Sequence, residues 1–490
     1  MNGPANYDLP GQFILCKSKG YVPKDWITRE RGSWLLACHP SLPVTKILGS
    51  DSSELGWLLG CPISPEGQLL TGKMHLPVSP NDSDAPSQFE SSIYAFGGRF
   101  ATVFLNAQAS RLYLDPCGSL SAVFCPKQQI VASSLALIPY SEGCEDNSNL
   151  IRALGFPDND PWYPFRLTPR HAVERLLPNH FLELVTWEPV RHWPTGDMAA
   201  NQDIQRSVLE IASILRNQFA AIARDYPIEM TLTAGRDTRM LLACAREQLE
   251  RIKLFTIAIP DAQGMLDCRI ARQIAKRFGL NHAILRFEQA TETELNEWLY
   301  RTGYCVAGRT WRAVRVFKRL DNQSAFLSGM YGGVRHLAYS RDGDTESSLI
   351  SASDVLKRIH MPAIPDIEDR ARQWLEGLSF LSTLTVLDLL LIEQRYGCWA
   401  GPQQYGHISS ACRLFPFSHR RIFEIILGLP CDYRRRQLLP VDLIRSQWPE
   451  LLHFPFNEPI GFGRYARVVR GAAQSIPRWM IDLIKGRLNL

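Results

Sequence analysis

Between Ile204 and Ile222 the apolar residues Ile204, Val208, Ile211, Ile214, Leu215 and Phe219 recur at the three-and-four spacing of one helix face. The period then shortens. Ile228-Glu-Met-Thr-Leu-Thr reads as a buried strand, followed by a small-residue loop and a helix from about Arg239 to Leu249. Lys253-Leu-Phe-Thr-Ile-Ala-Ile predicts a second strand, Asp267 to Phe278 a second helix, and Ala325-Phe-Leu-Ser a third strand. Strands alternating with helices of this length imply a parallel sheet with crossover helices. Beyond Asp354 the chain reads as almost wholly helical. Phe380 to Tyr396 is apolar nearly all the way round, which predicts deep burial.

The first 190 residues have a different texture and predict β-structure. Short alternating runs such as Arg99-Phe-Ala-Thr-Val-Phe-Leu and Arg111-Leu-Tyr-Leu are punctuated by Asp115-Pro-Cys-Gly and Pro126-Lys. The polar stretch from Ser79 to Ser87 reads as an exposed loop, and Pro194-Thr-Gly-Asp as a turn. The change of character places a boundary near residues 190–203, giving units 1–192 and 203–490.

Composition narrows the class. With 45% hydrophobic and 21% charged residues, a disordered or collagen-like chain is excluded. No apolar run approaches the roughly 20 residues that span a bilayer. The start Met-Asn-Gly-Pro-Ala-Asn-Tyr-Asp has no basic or apolar leader character, so a cytoplasmic protein without membrane contact is expected. There the 12 cysteines, none in a CxxC pair, should be reduced core residues. Residues 411–490 hold 13 Lys/Arg against 6 Asp/Glu, including Arg434-Arg435-Arg436. Such a run suits a phosphate or nucleic-acid surface, or a solvated helical face; the second is the expectation, and nucleic acid is not expected as a partner.

One junction carries candidate chemistry. The strand ending at Leu232 runs into Thr233-Ala-Gly-Arg-Asp-Thr238 and then a helix. Such a junction leaves backbone N–H groups at a helix start, where the dipole favours anions. Ala234 and Gly235 permit close approach of a phosphate, Thr233 and Thr238 add hydroxyls, and Asp237 suits a cation such as magnesium. A turn capped by Asp237 and Thr238 accounts for the same residues.

Thr233–Thr238 resembles the pyrophosphate loop Ser-Gly-Gly-x-Asp-Ser of asparagine synthetase-like and β-lactam synthetase-like ATP pyrophosphatases, with Thr for Ser at both ends and Ala234 for Gly. Other segments follow in the family's order. Asp267-x-x-x-Ala271-x-x-x-Ala275-x-x-Phe278-Gly279-x-x-His282 resembles its second helix. Phe96–Ala101, Asp115–Gly118, Ser133-Ser134 and Leu176–Phe181 resemble its glutaminase-type amino-terminal unit, and Ile392–Trp399, Phe415–Arg420 and Leu429–Arg434 its helical carboxy-terminal part.

The resemblance implies an α/β protein: an amino-terminal Ntn-hydrolase-like αββα sandwich, then a parallel-sheet adenine nucleotide α-hydrolase (PP-loop) domain with a helical extension. It implies ATP held by Leu232, Thr233, Ala234, Gly235, Arg236, Asp237, Thr238, Ile257, Ser328 and Gly329, with magnesium on Asp237. The implied activity is a carbon–nitrogen ligase activating a small-molecule or peptide carboxylate as an acyl-adenylate for attack by an amine. Tyr331 and Glu393 match the pair that helps deprotonate that amine. Glu393 follows the apolar run Leu389–Ile392, which would raise its pKa; a buried pair with Arg395 or another arginine fits equally.

The chain departs from the family in three places. Asn2 stands where glutamine-dependent members carry a nucleophilic cysteine, and an amide cannot form the thioester, so glutamine hydrolysis is not expected. Ser328-Gly-Met-Tyr-Gly-Gly-Val334 lacks the family's acidic metal ligand, leaving Asp237, the phosphates, or a carboxylate such as Asp342 or Asp344. No lysine lies between Lys357 and Lys485, so Arg464 is the candidate for the lysine's role. These departures motivate one alternative, a degenerate nucleotide- or peptide-binding protein; the basic tail 411–490 motivates another, a pyrophosphate-loop enzyme acting on RNA. Gly67-Gln-Leu-Leu-Thr-Gly-Lys73-Met74 nearly fits a phosphate-binding pattern but lacks the final hydroxyl, and reads as chance.

Overall fold

The computed structural model describes residues 7–158, 160–307, 313–407 and 412–457. Asn2 and Arg464 lie outside them. Three sheets organise the described residues.

Six short strands form the first sheet, in the order Glu174–Arg175, Val123–Cys125, Ile130–Ala132, Phe13–Cys16, Trp34–Cys38, Ile27–Arg31, all antiparallel. Seven form the second: Pro189–Arg191, His180–Glu183, Ser110–Leu114, Gly97–Leu105, Glu54–Ile63, Val44–Leu48, Lys73–His75, antiparallel except for the last pair. Period-two geometry sorts their side chains. Phe13, Leu15 and Leu36 of the first sheet meet Trp57, Leu59, Val103 and Leu112 of the second in one core, while Ile14 and Leu35 face the other way. The outer face of the second sheet, with Leu58, Phe100 and Phe104, is covered by Phe89 and Ile93 of the helix Ala85–Tyr94. Both faces being apolar, all nine residues of Gly97–Leu105 are buried. That helix also corrects one expectation. It begins inside the polar stretch read as an exposed loop, and Ala85 and Pro86 are buried in its first turn.

The third sheet is wholly parallel, in the order His282–Arg286, Ile252–Ala258, Ile228–Thr231, Ala325–Leu327, Cys412–Leu414. Two of these strands, His282–Arg286 and Cys412–Leu414, are additions to those read from the sequence. One sheet face packs on the helices Ile204–Asp225, Arg236–Cys244 and Ala262–Phe278, through Ile228, Met230 and Leu254 against Val208, Leu241 and Ile274. The first of these is the helix predicted from its apolar stripe, capped by Asp203 accepting from Arg206 N at 2.9 Å. Sequential strands build outward from Ile228–Thr231 on one side, then on the other. The order therefore reverses between Ile228–Thr231 and Ala325–Leu327.

The apolar segment near residue 390 is buried as expected. It runs as an α-helix Thr383–Leu389 continued by a π-helical stretch Leu390–Ala400. Its core is continuous with Cys61, Cys117, Tyr163 and Phe165 of the β-rich part, and Gln394 accepts from Phe165 N at 2.7 Å. All 12 cysteines are free thiols.

Candidate functional site

In open α/β sheets the crevice for ligands lies beyond the carboxyl ends of strands where their order reverses. Here Ile228–Thr231 leads into Thr233–Thr238, and Ala325–Leu327 leads into Ser328–Gly333. The two loops touch. A Cβ on Gly329 would lie 2.9 Å from Asp237 Cβ and 3.0 Å from Thr238 N, and one on Gly332 would lie 2.7 Å from Asp237 Oδ1. Both glycines are thus needed for that contact.

The first loop is held from within. Thr233 Oγ1 and Thr238 Oγ1 lie 3.0 Å apart; Thr238 Oγ1 accepts from Thr233 N at 3.2 Å, and Thr233 Oγ1 from Gly235 N at 3.0 Å. The helix Arg236–Cys244 starts at Gly235 without a side-chain cap, earlier than its apolar pattern suggested. Thr238 therefore braces the loop, while Asp237 does not cap it. Ala234 N donates to Asp267 Oδ1 at 2.9 Å, so a carboxylate already lies against one loop amide, as the helix dipole favours. Burial raises the Asp267 pKa against the pull of that bond.

A third layer comes from the far end of the described chain. Arg239 is fully buried and donates to Ala234 O (3.1 Å), Phe454 O (2.6 Å) and Pro455 O (2.8 Å), with Phe456 against its guanidinium. Asn457 N donates to Ala234 O at 3.2 Å, and Arg236 lies over the Phe456 ring. The strap 454–457 so closes one wall. Nothing in its sequence announced this role, because its partners are over 200 positions away.

Asp237 is the loop's carboxylate. Burial raises its pKa, and Arg335 and Arg236 oppose the rise. Arg335 Nε lies 3.0 Å from Asp237 Oδ1, yet both atoms are buried without a hydrogen bond, because the N–H is not aimed at the oxygen. Asp237 Oδ1 and Arg335 Nε are thus ion-paired with their hydrogen-bonding capacity unused. That donor set fits magnesium carried on phosphate, held by one carboxylate and keeping its waters. It does not form an all-protein cage: no group of three His, Cys, Asp or Glu among the described residues could hold a metal. Val334 is buried, and Asp344 is taken up by Arg358 at 2.7 and 3.0 Å, which removes it as a ligand. Arg335, adjacent to the missing carboxylate, was not singled out from the sequence.

The remaining site residues divide. Leu232 and Ile257 end their strands at this crevice; Leu232 is buried, its carbonyl accepting from Thr256 Oγ1 at 2.6 Å. Ser328, Gly329, Thr233, Gly235, Arg236 and Asp237 are half-buried at its mouth. Tyr331 and Glu393 do not join them. Tyr331 is 2% exposed, with a left-handed backbone (φ 72°) and its ring edge-on to Tyr396 and Phe415. Burial pushes its pKa well above the ordinary tyrosine value. Glu393 is fully buried and accepts from Arg191 Nη1 and Nη2 (2.8 Å for the latter), Asn179 Nδ2 (3.0 Å) and Trp374 Nε1 (2.7 Å). Burial alone would raise its pKa, but Arg191, with His180 and Asn179, outweighs it and holds the carboxylate below its usual range. The expected upward shift is thus reversed. The partner is Arg191, while Arg395 stacks on Trp399.

The triple arginine is also corrected. Arg434 is no surface residue: it is 2% exposed, grips Asp388 at 2.6 and 2.8 Å, and donates to Val334 O at 3.0 Å. Arg435 and Arg436 are both exposed, Arg435 donating to Asp344 O and Arg436 lying near Asp432.

No protein-family model matches the sequence, and no curated protein does. Among solved structures, U34-tRNA thiolase NcsA from Methanococcus maripaludis with its [4Fe-4S] cluster is similar over 56% of this chain and 86% of that one, at 12% identity and a TM-score of 0.21. A likeness that loose decides nothing about activity.

Proposed function

We propose that this protein uses ATP to activate a carboxylate as an acyl-adenylate, which an amine from a small molecule or peptide converts to an amide, without glutamine hydrolysis. The observation that carries the reading is the meeting of Thr233–Thr238 and Ser328–Gly332 at the switch point of the parallel sheet, with Asp237 Oδ1 and Arg335 Nε both unsatisfied between them. The chemistry follows from need. A carboxylate is a poor electrophile; its oxygen attacks the α-phosphorus of ATP, pyrophosphate leaves, and the amine then displaces AMP.

In this reading the Thr233 and Thr238 hydroxyls and Arg335 Nε bind the pyrophosphate oxygens, and the strap 454–457 excludes water from one side. Asp237 would hold magnesium, which supplies charge neutralisation on the departing pyrophosphate. This reading assigns Tyr331 and Glu393 no proton transfer. Their burial favours a second reading, nucleotide binding without turnover.

Calorimetric titration with an α,β-non-hydrolysable ATP analogue and magnesium tests the site. Binding by the wild type that Asp237→Ala abolishes supports it; no binding by the wild type at about 1 mM, an affinity of only about 4 kcal/mol, sinks it. Pyrophosphate release across a panel of carboxylates then separates turnover from binding alone.

A further inference from the structure

Two buried guanidiniums share a small cavity away from the loop just described. Arg99, from the strand Gly97–Leu105, and Arg413, from the last strand of the parallel sheet, are each 8% exposed. Both line a cavity of about 100 Å³ with Gln404, His407, Cys61 and Gly60. Arg99 donates through Nε to Ser119 O at 2.9 Å, and its Nη2 has no partner among the described residues. Among the described residues Arg413 makes one long contact, Nη2 to Gln404 Oε1 at 3.4 Å, leaving Nε and Nη1 unpartnered. His407 Nδ1 is also buried and unpartnered.

Arg434 and Arg239 each leave a buried Nε without a partner as well, but Arg434 is matched by Asp388 and Val334 O, and Arg239 by three carbonyls. Arg99 and Arg413 have no carboxylate within ion-pair distance among the described residues. Asp115, buried nearby, is consumed by Cys117 N, Ser119 N, Ser119 Oγ, Leu120 N and Ser418 Oγ. Stripping water from a guanidinium costs several kcal/mol unless the charge is matched, and two such charges repel each other. Burial, then the charge of Arg99, push Arg413 down to about 9. The aromatic faces of Phe326 and Tyr405 give partial relief.

We infer that this cavity is an anion site, in which the Arg99 and Arg413 N–H groups bind one compact oxyanion, a phosphate or a short carboxylate. The guanidinium fork matches the geometry of either group. A cavity of about 100 Å³ admits such an ion. The site joins the sandwich to the parallel sheet, so its ion would couple the two parts.

The test is titration calorimetry of the full chain with inorganic phosphate and, separately, sodium acetate, on wild type, Arg99→Gln, Arg413→Gln and Asp237→Ala. We expect the wild type to bind at least one probe, each arginine variant to bind it at least about tenfold more weakly, and Asp237→Ala to bind it as the wild type does. Phosphate or acetate alone as ligand assigns the phosphoryl or the carboxylate source. No binding of either probe at about 10 mM, unchanged affinity in the arginine variants, or loss in Asp237→Ala instead overturns the site. So does equal displacement by chloride, which would mean an adventitious ion only. If the glutamine variants do not fold, wild-type crystals soaked in selenate decide: an anomalous peak between the two guanidiniums supports the site, and its absence refutes it.

Discussion

Glu393 offers the sharpest separation of a catalytic from a structural role, through the substitution Glu393→Gln. The carboxylate is 0% exposed and its partner Arg191 14% exposed, with two further donors from Asn179 and Trp374. Breaking a buried pair by neutralising one side costs about 3–5 kcal/mol, because the other charge is left uncompensated. Arg191 still reaches some water, so the lower end, about 3 kcal/mol, applies. Urea unfolding of wild type and variant at pH 7 measures it. The pH dependence has a definite sign. The folded-state pKa is depressed, so this group's contribution is present above the ordinary glutamate value of about 4.3 and is lost as pH falls through the folded value. The gap between wild type and Glu393→Gln should therefore be full at pH 7 and close below about pH 4. The double variant Glu393→Leu/Arg191→Met, which removes both charges, should recover much of the loss. If Glu393→Gln unfolds within about 0.5 kcal/mol of the wild type while turnover collapses, the structural assignment is wrong.

Three further outcomes follow from the same geometry. Tyr331→Phe keeps the edge-on packing and deletes a buried hydroxyl that has no partner among the described residues, so stability should hold or rise by about 1 kcal/mol, and product formation should persist; a loss of turnover alone would make Tyr331 a proton carrier. Gly329→Ala drives a methyl into Asp237 Cβ and Thr238 N, which should cost about 1–3 kcal/mol and weaken nucleotide-analogue binding; normal binding by calorimetry would show that the two loops need not touch. Asp388→Asn strands Arg434 in the core and should destabilise by about 3 kcal/mol in the same urea assay, with ordinary surface-like tolerance as the contrary result.

Much of the parallel sheet was legible because its strands and helices differ in period. The stripe from Ile204 to Phe219 and the small-residue loop after Leu232 both occupy the places their patterns require. Cys412–Leu414 was not legible: three buried residues carry no periodicity that separates a strand from a turn of helix. The loop's half of the site could be read locally. Its other half could not, since Arg335, Asp267 and the strap 454–457 meet the loop only through the fold. Tyr331 and Glu393 illustrate the opposite case. Their residue types suited proton transfer, but whether a tyrosine or glutamate is a base or a core residue depends on partners such as Phe415, Arg191 and Trp374, which lie far off in sequence.

The strap over Arg239 has a consequence for synthesis. The strand and helix that flank the loop are made from residues 228–244, but the carbonyls that hold Arg239 belong to Phe454 and Pro455, and the amide that meets Ala234 O to Asn457. At a translation rate of about 5–20 residues per second, those partners arrive roughly ten seconds or more after the loop itself. Until then Arg239 has only Ala234 O to bind and no roof of aromatic rings. The nascent chain therefore carries an open, cationic pocket mouth, and the late-emerging segment acts as the latch that finishes it. A chain stopped after Leu452 should keep its parallel sheet but present that mouth to solvent.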